Sequence, residues 1–270
     1  MDEETLKDLA RWFSGYVQTF KTGDPEADRN IILKEEHTAR VRWEIREIGL
    51  SLGLSGEDLC LAEAAALLHD LGRFPQYARY KTFSDRRSCD HAALSVQVLI
   101  EGCILDDLDL SERELILKAI SYHNRAHLPE YEEDRCLFFT KLLRDADKLD
   151  VWALLLDYYS RRAGEGYRNG ALELDLDDAP GISEDVCRAL LAGEIVKVED
   201  LRSQNDFKLL LASWIFDINF RPALVEVEER GYLERTREVL PRSQVAERII
   251  DHLKSRLAER IEAESPQGPD

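Results

Sequence analysis

Apolar residues in this chain recur three and four positions apart almost from end to end, a spacing that admits helices and little else. Leu6, Leu9, Phe13, Val17 and Phe20 give the first such row. Asp24 and Pro25 then read as the N-cap and first residue of a helix reaching to about Leu52, with His37, Val41, Ile45, Ile48 and Leu52 on one face. Ser55 and Asp58 resemble a capping box ahead of the segment that closes in LLHDLGR, and Gly72 is its expected stop. Residues 73–88 (RFPQYARYKTFSDRRS) break the row and are expected to form a loop rich in Arg, Lys and aromatic residues. Helical rows resume with Leu94, Val98 and Leu99 after Asp90-His91, and with Ile116, Ile120 and His123 after a second expected capping box, Ser111 and Glu114. A long helix capped by Asp134 carries Leu143, Asp147, Val151 and Leu154 on one row.

Past Ser160 the pattern changes. GEGYRNGALELDLDDAPGIS reads as a loop with a short strand at LELDL, and helical spacing returns from residue 183. In SQNDFKLLLASWIFDINF, Phe207, Leu210, Leu211, Trp214 and Ile218 read as core, and Asn205, Asp206 and Asp217 take no site assignment. No internal repeat or Gly/Ser linker interrupts the chain. The expected architecture is one all-α domain over residues 1–262. Its helical-bundle core lies at about 25–160, a C-terminal helical extension at about 183–262, and a disordered tail at 263–270.

At 270 residues and 44% apolar content, the chain can bury an ordinary core. Its longest apolar runs fall far short of the roughly 20 residues that cross a bilayer. The start, MDEETLKDLA, has neither the basic opening nor the apolar block of a signal peptide, so a cytoplasmic location is expected, with no membrane partner. Five scattered cysteines without C-x-x-C fit neither a disulfide framework nor a cysteine zinc site; Cys60 and Cys103 read as small core residues. A formal charge of -18 argues against a nucleic-acid duplex, yet allows a small phosphorylated substrate met by metals and local Arg and Lys.

The six histidines are placed selectively. His37 stands mid-helix on an apolar row, His69 is followed by Asp70, His91 opens a helix and His123 ends one. His127 and His252 fit no row. Any single one is more often a hydrogen-bonded core or surface residue than a ligand. As a group, with Asp70 and Asp147 also inward, they put much polar surface in the interior, which is costly without a function. A divalent metal accounts for it, since imidazole and carboxylate together suit Zn, Mn, Fe or Ni.

His37, then LLHDLGR with His69-Asp70, then RDADKLD with Asp147, resembles the H…HD…D signature of the HD-domain superfamily of metal-dependent phosphohydrolases. The resemblance spans roughly residues 30 to 160. It implies an HD-domain helical bundle in which His37, His69, Asp70 and Asp147 bind one metal, the second Asp of D-x-D-K being the usual ligand. Asp145 then either orients a ligand or pairs with Lys141 or Lys148 along its helix. His91 and His123 match two further histidines of dinuclear members, such as the HD-type dinucleoside tetraphosphate hydrolases. They imply a second metal bridged by Asp70, or else phosphate contact or acid–base action around a single metal. The cofactor is accordingly one or two divalent ions, Mn, Fe, Zn, Ni or Mg.

The implied reaction is hydrolysis of a phosphoester or phosphoanhydride, in a nucleotide or another small phosphorylated metabolite, through a metal-activated water. Asp70, His91, His123 and Lys148 are the expected catalytic residues. Lys148, Arg73 and Asn124 are the expected substrate contacts, with Lys81, Arg86 and Arg87 as looser candidates. The G-Y-P companion motif of cyclic-di-GMP phosphodiesterases and the acidic continuation of alarmone hydrolases are both missing, so the substrate does not follow. Two alternatives share the scaffold: a di-iron oxygenase resembling myo-inositol oxygenase, and a degenerate HD module that binds a nucleotide for regulation. Whichever reading holds, a homodimer is left open.

Overall fold

The computed structural model describes residues 1–165, 168–174 and 176–263, and among these it is all-α, with a lone parallel bridge between Asp177 and Ser203. The chain falls into two compact units, Met1–Asp150 and Val151 onward.

The first unit is built around α3 (Gly56–Leu68), whose residues from Leu59 to Leu68 are all buried. A helix that is apolar all round belongs at the centre, and Ala62, Ala64, Ala65 and Ala66 let neighbours come close. The one carboxylate in that stretch, Glu63, is held by Arg42 at 2.9 Å and Arg46 at 2.6 Å. Against α3 pack α1 (Glu3–Gln18), α2 (Pro25–Ser51) and α6 (Leu110–Tyr122). Asp2 caps α1 through the Thr5 amide, and Leu6, Leu9, Phe13 and Val17 form its buried row. Asp24 caps the start of α2 by accepting from the Ala27 amide at 2.8 Å. His37, Val41, Ile45 and Ile48 are buried along α2, whereas Leu52 is exposed.

Residues 73–88 are not a loop. They form α4 (Arg73–Tyr80) and a 3-10 turn at Asp85–Arg87, because Phe74 and Tyr77, three apart, bury one face of a single short helix. Gly72 does not stop a helix by a left-handed turn; it is right-handed at φ -63°. What it supplies is room. An added Cβ would collide with the His91 carbonyl and stand 2.8 Å from the Ser95 amide, at the start of α5 (His91–Glu101). Neither expected capping box forms: Ser55 is the N-cap of α3 without a side-chain bond, and Asp109 rather than Ser111 precedes α6. Cys103 is exposed in a left-handed turn rather than in the core. The long helix α7 (Asp134–Glu165) completes this unit through Asp150.

The second unit holds the end of α7 with α8 (Gly170–Glu173), α9 (Glu184–Ala192), α10 (Gln204–Ser213), α11 (Arg221–Glu229), α12 (Tyr232–Val239) and α13 (Gln244–Ala263). The expected strand LELDL is instead the end of α8 and a left-handed Leu174, while Asp175 lies outside the described residues. Ser203 and Asp206 form a true capping box on α10, which is buried on every side as its apolar row implies. Asp206 also receives the Ser183 amide and hydroxyl, which ties the start of α9 to α10. Lys208 lies 4.7 Å over the Tyr159 ring and donates to Asn205 and the Val239 carbonyl. The expected disordered tail falls, past Ala263, outside the described residues.

Gly72→Ala is expected to destabilise the protein by about 1–3 kcal/mol, as overpacking of a close backbone approach does. A thermal melt of the variant checks this; a midpoint equal to that of the parent would mean that α4 and α5 separate at little cost.

Candidate metal centre

Six side chains converge within the first unit. His37 comes from the buried row of α2. His69 is the C-cap residue of α3, and Asp70 follows in the turn to α4. His91 opens α5, whose N-cap Asp90 accepts from the Ala92 and Ala93 amides. His123 is the C-cap residue of α6, and Asp147 lies on α7. The four histidines and Asp70 are buried, and Asp147 keeps 24% of its side chain exposed.

Every one of the four imidazoles has its Nδ1 engaged away from the cluster. Those of His69 and His123 contact the carbonyls of Ala66 and Ile120, each three residues back and each 2.7 Å away. Both carbonyls lie at helix C-termini, so one contact both caps the helix end and fixes the ring. The Nδ1 of His37 meets Asp150 at 2.6 Å, and that of His91 meets Asp85 at 2.6 Å. With the proton on Nδ1, the rings of His69, His91 and His123 turn an Nε2 lone pair inward, and the ring of His37 does so once a cation displaces its second proton, as metal-binding histidines do. The buried Nε2 atoms of His37 and His69 have no hydrogen-bond partner among the described residues.

The carboxylate oxygens stand where such lone pairs need a cation. Oδ2 of Asp70 is 3.4 Å from His37 Nε2 and 3.6 Å from His69 Nε2, and Oδ1 of Asp147 is 3.3 and 3.7 Å from the same two atoms. The other oxygen of Asp70 faces His91 Nε2 at 3.4 Å and His123 Nε2 at 4.0 Å. Donors bound at about 2.0–2.2 Å around one ion lie roughly 3–3.5 Å apart. The donor set therefore fits divalent cations, with Asp70 offering one oxygen to each half. His91 Nε2 and His123 Nε2 are 3.0 Å apart, a repulsive pairing of lone pairs unless a proton or a cation lies between them.

The two halves differ electrostatically. Burial and Lys34 both push His37 toward its neutral form, yet the carboxylates of Asp147, Asp150 and Asp70 outweigh them and raise it to about 10. Burial lowers His123 to about 3, helped by the imidazoles of His91 and His69. His91 is lowered too, by burial and by Arg73. Burial alone would raise Asp70 and Asp147. Lys34 and His69 hold Asp70 well below the usual carboxylate range, and His37 and His69 do the same for Asp147.

All six expected donors are thus brought together. Other expected residues have different surroundings. Arg73 turns inward, donating to Gln76, the Phe83 carbonyl and Asp85, with its Nε 3.5 Å from Asp70. Asn124 is exposed and donates to Asp90 at 2.8 Å, joining the ends of α5 and α6. Lys148 and Asp145 are both buried on α7. Four residues that sequence reading missed support the cluster. Lys34 donates to Asp70 Oδ2 at 2.7 Å, and its signal was its place one turn before His37. Asp150, three after Asp147, was visible in RDADKLD. Asp85 and Ser95 gave no signal. The Ser95 hydroxyl accepts from the Gly72 amide at 2.8 Å and lies 2.7 Å from the His69 carbonyl, pinning the His-Asp turn to α5.

The family model described as HD domain matches residues 35–152. Searches of curated proteins and of solved structures gave no match. All six converging residues lie within the matched span, and residues 35–152 of this chain are an HD domain, the module of a superfamily of metal-dependent phosphohydrolases.

Proposed function

We propose that this chain is a metal-dependent phosphohydrolase that cleaves a phosphoester or phosphoanhydride of a small phosphorylated metabolite, a nucleotide being the leading class. The observation that carries the reading is the inward set of four imidazole lone pairs around Asp70 and Asp147, with every Nδ1 already held. His37, His69, Asp70 and Asp147 would hold one ion, and His91 and His123, with Asp70, would hold a second. Bound there, Mn, Fe, Zn, Ni or Mg would supply relief of charge on phosphoryl oxygens and a water that ionises near neutral pH. The protein's own part is to fix charge and orientation. Lys34 and Arg73 set positive charge against Asp70, which keeps that carboxylate ionised in a buried place. Asp150 and Asp85 hold the rings of His37 and His91. Lys148 and Arg73 are the proposed phosphate contacts, with Asn124 at the rim.

The same donors suit a di-iron oxygenase, a reading favoured by the division of the Asp70 oxygens between two histidine pairs. Oxygen uptake by ferrous-loaded protein, without phosphate release from any nucleotide, would replace the hydrolase reading.

Metal analysis of anaerobically purified protein is expected to give about two equivalents, falling toward one in His91→Ala and in His123→Ala, with phosphate release from nucleotides lost in both. One equivalent, unchanged in the variants, would remove the second ion. Asp150→Asn is expected to weaken binding at the His37 half by about 10–100-fold while sparing the His91 half. Competition titration with a chromophoric chelator reads both affinities.

Uptake should also depend on pH in a stated direction. His37, raised to about 10, carries a proton at pH 7 that a cation must displace, whereas His123, lowered to about 3, is already neutral. Binding at the His37 half should therefore release about one proton at pH 7 and tighten as pH rises toward 10, while binding at the other half releases none. Calorimetry in two buffers of different ionisation enthalpy measures the difference; equal release from both halves would refute it.

A further inference from the structure

The solvent face of α2 carries a pattern that the metal centre does not use. Ile32, Trp43 and Leu50 are 40%, 52% and 46% exposed, large apolar side chains on one helix. At about 100° per residue, these three fall with Glu36, Ala39 and Arg46 within about 40° of a single line roughly 27 Å long. Single exposed apolar residues are ordinary, but three on one line with an alanine, spaced by one carboxylate and one guanidinium, suit contact with a complementary surface.

The order along that line is symmetric about the level of Val41. Ile32 and Leu50 are equally far from it, as are Glu36 and Arg46, and Ala39 and Trp43. We propose that α2 is the interface of a homodimer in which a second copy packs antiparallel about a two-fold axis at that level. The inference goes beyond the hydrolase reading and does not depend on it.

A two-fold interface must be complementary to itself. Here the axis sets Ile32 opposite Leu50 of the second copy, apolar on apolar. It sets Glu36 opposite Arg46, carboxylate against guanidinium, and Ala39 opposite Trp43, so that a methyl leaves room for an indole. Parallel packing would instead stack Trp43 on Trp43, Glu36 on Glu36 and Arg46 on Arg46. Of the residues flanking the line, Arg40 would stand opposite Arg42 and Glu35 opposite Glu47; Asp150 and Glu63 neutralise the two arginines within the chain, and Lys21 neutralises Glu35. Arg46 bonds Glu63 at 2.6 Å yet keeps 48% of its side chain exposed, so its position on the line is fixed while the charge stays accessible. A strip this size lies at the small end of specific interfaces, and a micromolar dimer is expected.

Sedimentation equilibrium of the full chain between roughly 1 and 100 µM tests this. The expected result is a monomer–dimer equilibrium that Trp43→Asp abolishes. Glu36→Arg and Arg46→Glu should each weaken it by about tenfold or more, because each sets like charges opposite one another. The double variant Glu36→Arg/Arg46→Glu should bring it back. Far-UV circular dichroism confirms that each variant is folded. Monomer throughout the range, or a dimer indifferent to both Trp43→Asp and Glu36→Arg, would overturn the proposal. Failure of the double variant to recover would overturn the antiparallel register.

Discussion

Asp70 carries a negative charge in a place almost without solvent, where a lone carboxylate costs several kcal/mol or gives up its ionisation. It keeps its charge because Lys34 and Arg73 lie beside it and imidazoles surround it. Those partners come from separate elements: α2 brings Lys34 and His37 one turn apart, α5 and α6 bring His91 and His123, and the start of α4 brings Arg73. Each must arrive within a few ångströms of the end of α3. The alanine-rich α3 lets them come that near, and Gly72 lets the first turn of α5 lie against the His-Asp turn. The packing of the first unit is in this sense a consequence of keeping one carboxylate ionised.

The rings are oriented by two kinds of acceptor. His69 and His123 use carbonyls three residues back at the ends of their own helices, so the backbone alone sets their tautomer. His37 and His91 use carboxylates, Asp150 and Asp85, which hold the rings and also raise the basicity of the inward nitrogen. A histidine at the C-cap of a buried helix is thus oriented by fewer parts than one in mid-helix, which needs a dedicated acid.

The helices and the six donors were legible in the sequence because both rest on spacing and residue type. The apolar rows marked α1, α2, α6 and α10, and the scarcity of histidine made His37, His69, His91 and His123 conspicuous. What escaped was whatever depends on contact between distant segments. Residues 73–80 hold a single apolar pair, Phe74 and Tyr77, too short a row to distinguish a helix from an aromatic loop. Gly72 looked like a stop because glycine at a helix end usually takes a positive φ; its real reason is a neighbour 23 residues on, the Ser95 it bonds. Arg73 looked free because sequence does not reveal that Asp85 and Gln76 curl back to meet it. Serine and aspartate caps were overread at Ser55 and Ser111, since their type permits the bond without requiring it.

The supports of the two histidine pairs also differ in stiffness. Asp150 belongs to the 32-residue helix α7, where its position is set by turns on either side. Asp85 sits in a three-residue 3-10 turn, held by Arg73 and Gln76. Anything that bends the short segment before α5 loosens the ring of His91 while the ring of His37 stays oriented. One half of the cluster is therefore braced by a long helix and the other by a three-residue turn, so a bend confined to that turn would reach His91 and not His37.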